Sequence, residues 1–131
     1  MKRLLIVLAA CGARAPAPEP PKSLQLNTTG APVDVAAALV PNHVTVVDFW
    51  SESCGACIVV GGMLAAQVAN EPKVVIRKID VGDGDTPAGH AYQINALPHY
   101  RIYDKQRHLR YDLVGNDCTK APDYARILAA E

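Results

Sequence analysis

The stretch Val44-Thr45-Val46-Val47-Asp48-Phe49-Trp50, followed by Ser51-Glu52-Ser53 and then Cys54-Gly55-Ala56-Cys57, decides how the rest of the chain is read. Its first seven residues are β-branched or aromatic on both parities, interrupted by one acid, the pattern of a central strand buried on both faces. From Cys54 to Val68 apolar residues recur at helical spacing until Asn70, Glu71 and Pro72 break the pattern. Strand, short loop and long helix follow one another, with two cysteines at the junction. Two intervening residues on a first helical turn let the sulfurs meet, with Cys54 at the exposed end and Cys57 turned inward. The unpaired N–H groups of a helix N-terminus carry partial positive charge, which stabilises a thiolate and draws its pKa below the free value of about 8.5. Cys54 is then the attacking sulfur, and Cys57 resolves the mixed disulfide by displacing the substrate thiol.

Working outward, residues 24–27 read as an edge strand and residues 35–40 as a short helix stopped by Pro41. Residues 74–79 form a second internal strand. Gly82 and Gly84 mark a loop, after which Thr86 and Pro87 suit the cap and first position of a short helix through Tyr92. Residues 99–104 and 108–114 alternate polar and large apolar side chains around Lys105-Gln106-Arg107, the pattern of an antiparallel hairpin. A helix over residues 122–130 closes the chain. The expectation is an α/β fold: a mixed sheet of four to five strands covered by helices on both faces. No internal repeat is visible.

The 131 residues carry 13 basic and 13 acidic side chains and are half apolar, an ordinary globular composition that implies one domain. A net charge of zero offers no basic face for a phosphate backbone, so nucleic acid is not an expected partner. Met1, Lys2 and Arg3 precede the apolar run Leu4-Leu5-Ile6-Val7-Leu8-Ala9-Ala10, the order of a secretory signal. Leu8-Ala9-Ala10-Cys11 resembles the lipobox of bacterial lipoproteins. That resemblance implies a leader at residues 1–10, acylation of Cys11 and a membrane anchor, and Gly12 in the next position implies sorting to the outer membrane. Residues 13–22 hold four of the ten prolines and read as an extended tether. The compact domain is then residues 23–131. Without Lys2 and Arg3 the mature chain keeps 11 basic against 13 acidic groups.

The domain resembles the thioredoxin family over residues 24–131. The residues that carry the resemblance are Val-Asp-Phe-Trp at 47–50, Cys-Gly-Ala-Cys at 54–57, Lys-Ile-Asp-Val at 78–81, Tyr92-Gln93-Ile94, Leu97-Pro98 and Val114-Gly115. Cys57 and Pro98 are 41 positions apart, close to the plain thioredoxin interval. The resemblance implies a thioredoxin fold and thiol–disulfide oxidoreductase activity through Cys54 and Cys57, with no dissociable cofactor. Asp48 matches the buried acid beneath the dithiol, where lost hydration raises the carboxyl pKa and lets it take the Cys57 proton. Lys78 matches its basic neighbour. Pro98 matches the cis-proline that faces the dithiol and turns the Leu97 backbone toward a bound chain. Trp50, Gly55, Ala56 and Gly115 would border the contact surface. The implied partners are thiols and disulfides of exported proteins and an upstream redox partner, met by a monomer at the periplasmic side of a bacterial envelope.

Several positions depart from the family pattern. Ser53 replaces the usual aromatic residue before the first cysteine, Ala56 replaces the usual proline, and Ile58 replaces a basic residue. Loss of the proline favours a more oxidising disulfide, while the charge of Glu52 disfavours the thiolate. His99 follows Pro98 where threonine is common, and it reads as a partly exposed strand histidine or a group that tunes the sulfurs. Cys118 has no partner in the mature chain and reads as an inert thiol capping the last helix, or as one that exchanges with the dithiol. Two other function classes remain open at this point: a copper or zinc protein using the thiolates with a histidine, and a non-catalytic binding module stapled by its disulfide.

Overall fold

The computed structural model describes residues 11–131; the leader read at residues 1–10 lies outside the described residues. Five strands form one sheet in the order β1-β3-β2-β4-β5: β1 is Ser23–Gln25, β2 Val44–Trp50, β3 Val74–Asp80, β4 His99–Tyr103 and β5 Leu109–Val114. The first three strands are parallel to one another, and β4 and β5 run antiparallel to their neighbours. Helices α1 (Val35–Ala38) and α3 (Pro87–Ala91) lie over one face, while α2 (Gly55–Val68) and α4 (Ala121–Ala130) cover the other. This is the thioredoxin-like α/β architecture expected from the sequence.

Strand β2 sits at the centre, so both of its faces are buried. Val44 and Val46 join Leu64 and Val68 of α2 and Ala125 and Leu128 of α4 in one core. Val47 and Phe49 point the other way and join Val35, Ile79, Val81 and Ala88. This two-residue alternation is why one strand feeds two cores. Each β2 valine and Phe49, fully buried, contributes about 1.5–3 kcal/mol relative to exposure.

The element boundaries differ from the sequence reading where side chains intervene. Strand β1 ends at Gln25 rather than residue 27 because Asn27 takes over from the ladder: its Nδ2 donates to the carbonyls of Ala31 (2.9 Å) and Asp80 (3.0 Å), and its Oδ1 accepts the Asp80 N–H (2.9 Å). Helix α1 stops at Ala38, short of residue 40, with Leu39 already extended. Val40 precedes Pro41, and a residue before proline is driven out of the helical region. The closing helix begins at Ala121, after an unforeseen 3-10 turn over Gly115–Lys120.

The N-terminal approach to β1 is tied to the end of the sheet where β2 and β3 begin. Lys22 Nζ donates to the carbonyls of Glu71 and Val74, Arg77 Nη1 donates to the Pro21 carbonyl at 2.9 Å, and the Ile76 N–H donates to the Lys22 carbonyl. Residues 11–19 are exposed, including the free thiol of Cys11. Among the described residues no helix is long and apolar enough to cross a membrane.

Candidate active site

Strand β2 delivers the chain to a short turn, Ser51 to Ser53, in which the Ser51 and Ser53 hydroxyls pair at 3.0 Å. Cys54 then caps α2. Its sulfur accepts the Cys57 N–H at 3.1 Å, so a cysteine sulfur fills the place that serine or aspartate usually takes at a helix start. Cys54 and Cys57 form a disulfide with their Cα atoms 5.2 Å apart. Cys54 is half-buried, Gly55 and Ala56 are exposed, and Cys57 is buried. The sequence reading of one outward and one inward sulfur therefore matches the geometry.

Below the helix lies Asp48, 1% exposed. It is registered beside Lys78 on β3 and Tyr100 on β4. Burial pushes its carboxyl pKa up to about 7, the charge of Lys78 acting in the opposite direction. Such a group takes and releases a proton near neutrality. Lys78 is half-buried, its ammonium 4.3 Å from the centroid of the Trp50 ring. Trp50 is also half-buried, and its indole N–H donates to Gln25 Oε1 at 3.1 Å. It stands at the rim of the dithiol end of the sheet, fixed from both sides by polar neighbours.

The Leu97–Pro98 peptide bond is cis. Pro98 is buried, and its carbonyl accepts the N–H of Gly115 at 2.8 Å, which ties together two segments the sequence placed at the site. Leu97 is half-buried against the core under α1 and α3. Gly115 adopts φ 61°, a conformation that costs glycine little. On the surface of α2 beside the dithiol, Ile58 and Val59 are exposed, so the position where a basic residue was missing offers an apolar contact instead.

Two sequence expectations are corrected. His99 is not partly exposed, and it points away from the face that α2 covers. It is 7% exposed and packs edge-on against Phe49, with ring centroids 5.9 Å apart, and its Nε2 contacts Asp112 Oδ1. Strand alternation is the reason: the Asp48 partner Tyr100 faces α2, so His99, one residue earlier, faces away. Cys118 does not cap α4, whose N-cap is Lys120. It is fully buried in the 3-10 turn and donates to the carbonyls of Leu113 (3.3 Å) and Pro98 (3.5 Å). Burial pushes its thiol pKa up to about 12, leaving almost no thiolate for exchange. The histidines are dispersed, His90 on Asp85 and His99 on Asp112, and no three His, Cys, Asp or Glu groups cluster as metal ligands among the described residues.

Sequence reasoning missed Tyr100 and Gly61. A methyl at Gly61 would lie 3.5 Å from Asp48 Oδ2 and 3.9 Å from the Tyr100 hydroxyl oxygen, so both residues border the buried acid. The available signal was positional: Gly61 lies four residues after Cys57 on the inward face of the helix.

Residues 32–123 match the sequence profile of the Thioredoxin family. A thioredoxin from Mycoplasma pneumoniae is 33% identical over 64 residues, covering 49% of this chain and 62% of that protein, less than two thirds of its length. A mutant thioredoxin from Halobacterium salinarum superposes with a TM-score of 0.64 at 17% identity, covering 87% of this chain and 96% of that one. A thioredoxin from Arabidopsis thaliana in its oxidized state gives 0.63 at 18% identity, covering 82% and 95%. Fasciola hepatica thioredoxin gives 0.56 at 24%, covering 67% and 83%. These structural likenesses speak for the fold. The profile match spans the dithiol, its buried acid and the cis-proline on one continuous stretch, and on that ground the chain belongs to the thioredoxin family.

Proposed function

We propose that this protein is a thiol–disulfide oxidoreductase that exchanges disulfides with other polypeptides through Cys54 and Cys57. The observation that carries the reading is the vertical order of the site. An accessible sulfur accepts a helix-end N–H, its buried partner follows on the same turn, and a carboxyl with a pKa of about 7 lies beneath. In the reductive direction the Cys54 thiolate attacks a substrate disulfide, forming a mixed disulfide and expelling one substrate thiolate. Cys57 then gives its proton to the Asp48 carboxylate. Its sulfur bonds to Cys54, and the second substrate sulfur leaves with the electron pair of the broken bond. The oxidative direction is the same sequence reversed. Lys78 moderates the Asp48 carboxyl, and Trp50, Gly55, Ala56, Leu97, Pro98 and Gly115 border the groove in which a substrate chain lies. Exposed Ile58 and Val59 support an apolar contact with that chain.

The proposed substrates are exported proteins, with an upstream redox partner restoring the dithiol. Residues 11–22 serve as a tether ahead of the domain at residues 23–131, with Cys11 lipid-anchored in the bacterial envelope after loss of residues 1–10. Equilibrating the protein against a glutathione series tests the chemistry. One reversible two-electron transition, lost in Cys54→Ser, is expected, and its absence in the unmodified chain removes the reading. In Cys57→Ala, mixed disulfides with client proteins accumulate on Cys54. A mature N-terminus other than an acylated Cys11, read by mass spectrometry, refutes the anchor alone.

A further inference from the structure

Two buried polar atoms beneath α2 have no hydrogen-bond partner: Asp48 Oδ1 and the Tyr100 hydroxyl. Buried polar groups are nearly always paired, so each orphan asks for a reason. The two are neighbours, because Asp48 and Tyr100 are register partners across β2 and β4, an arrangement that sets both side chains on one face with Cβ atoms about 4.5–5.5 Å apart. Gly61 roofs them. With no side chain on Gly61, the Tyr100 oxygen and Asp48 Oδ2, the second oxygen of the same carboxyl, flank one point under the helix, 3.9 and 3.5 Å from where a Gly61 Cβ would lie. The other groups facing Asp48 are engaged elsewhere. Lys78 from β3 lies over the Trp50 ring, Cys118 from the 3-10 turn donates to two carbonyls, and Cys54 and Cys57 at the head of α2 are bonded to each other.

We propose that Tyr100 is a positioning residue for Asp48, its hydroxyl donating through one water beside Gly61, where no side chain intrudes, to the carboxylate that receives the Cys57 proton. Tyr100 keeps its own proton throughout, since burial pushes its hydroxyl above the ordinary phenol range. The role deepens the exchange reading and rests on it, because it matters only if Asp48 serves Cys57. A donor to the charged form of an acid favours ionisation, so removing the donor raises the carboxyl pKa.

The test follows the Asp48 carboxyl by carbon-13 NMR during pH titration of the full chain, as the unmodified protein, Tyr100→Phe and Gly61→Ala. This readout does not depend on exchange activity, so it fails separately from the glutathione titration. The unmodified protein is expected to titrate at about 7. Each variant is expected to titrate at least half a unit higher, about a threefold loss of ionised Asp48 at a fixed pH on the rising limb. Because both changes remove the same bridge, the double variant shifts no further than the larger single one. Gly61→Ala places a methyl at ordinary contact distances and carries the test alone if Tyr100→Phe does not fold. An unchanged midpoint in a folded variant, additive shifts in the double variant, or an ordinary carboxylate midpoint in the unmodified chain overturns the proposal.

Discussion

Asp48 and Asp104 are both almost completely covered, at 1% and 4% exposure, and yet their carboxyls move in opposite directions. Burial drives Asp48 up to about 7, with Lys78 only partly opposing it. At Asp104 burial also pushes upward but is outweighed by the His108 N–H, the Arg110 guanidinium, the Gln106 N–H and the charge of His108, so the carboxyl ends below its ordinary value. Its oxygens accept from His108 N at 2.9 Å, Gln106 N at 3.0 Å and Arg110 Nη1 at 3.2 Å, closing the turn between β4 and β5. Asp48 Oδ1 accepts nothing. Covering a carboxylate is therefore not what makes it a proton acceptor; withholding partners from it is. At neutral pH the first acid destabilises the fold, and the second stabilises it.

The largest expected effect comes from Asp48→Asn. Between about pH 4 and 7 the native state keeps a proton that the unfolded chain has released, so the stability of the unmodified protein falls as pH rises through that window and then levels. Urea denaturation should show no difference between the two proteins below pH 4 and the variant more stable by about 2–4 kcal/mol above pH 7. Its thiol exchange should be slower across the same range. Equal stability at both ends of the window would erase the contrast. Next, Asp104→Ala should cost about 1–3 kcal/mol at pH 7 while leaving exchange rates unchanged. The depressed carboxyl contributes stability above its unfolded pKa and loses it as pH falls through the folded one, so the deficit should shrink in acid. A deficit that persists unchanged in acid would show that the turn relies on shape alone. The smallest effect is the coupling between the sites. Tyr100 is the register partner of Asp48, and Asp104 lies four positions further along the chain, about 13 Å away. A double-mutant cycle should return less than about 0.5 kcal/mol.

Much of this was readable from residue order. The both-parity run at 44–50, the dithiol at the helix start and the hairpin alternation each carry a period or spacing that local physics imposes, and the structure follows them. Asp48 was legible through the family resemblance, supported by the apolar residues on either side of it in the strand. What was not legible depends on register between strands distant in sequence. Nothing at positions 99 and 100 says which of the two faces the dithiol helix, so His99 attracted attention that Tyr100 merited. The end of β1 was misjudged because an asparagine side chain substitutes for backbone pairing with a strand more than fifty residues away. Cys118 followed the same rule: its inertness was anticipated, but the carbonyls that hold its thiol belong to chain segments whose approach only the folded sheet defines.

The clamp that Lys22 and Arg77 place on the chain at Pro21 and Lys22 fixes where any load leaves the molecule. Its partner Glu71 lies just beyond the far end of α2, whose 14 residues span about 21 Å. A fusion partner, bead or dye attached ahead of residue 20 thus rides at the rear, roughly one helix length behind the sulfurs. Force applied to it enters through the parallel strand β3 rather than the dithiol helix, leaving the front open even on a crowded support.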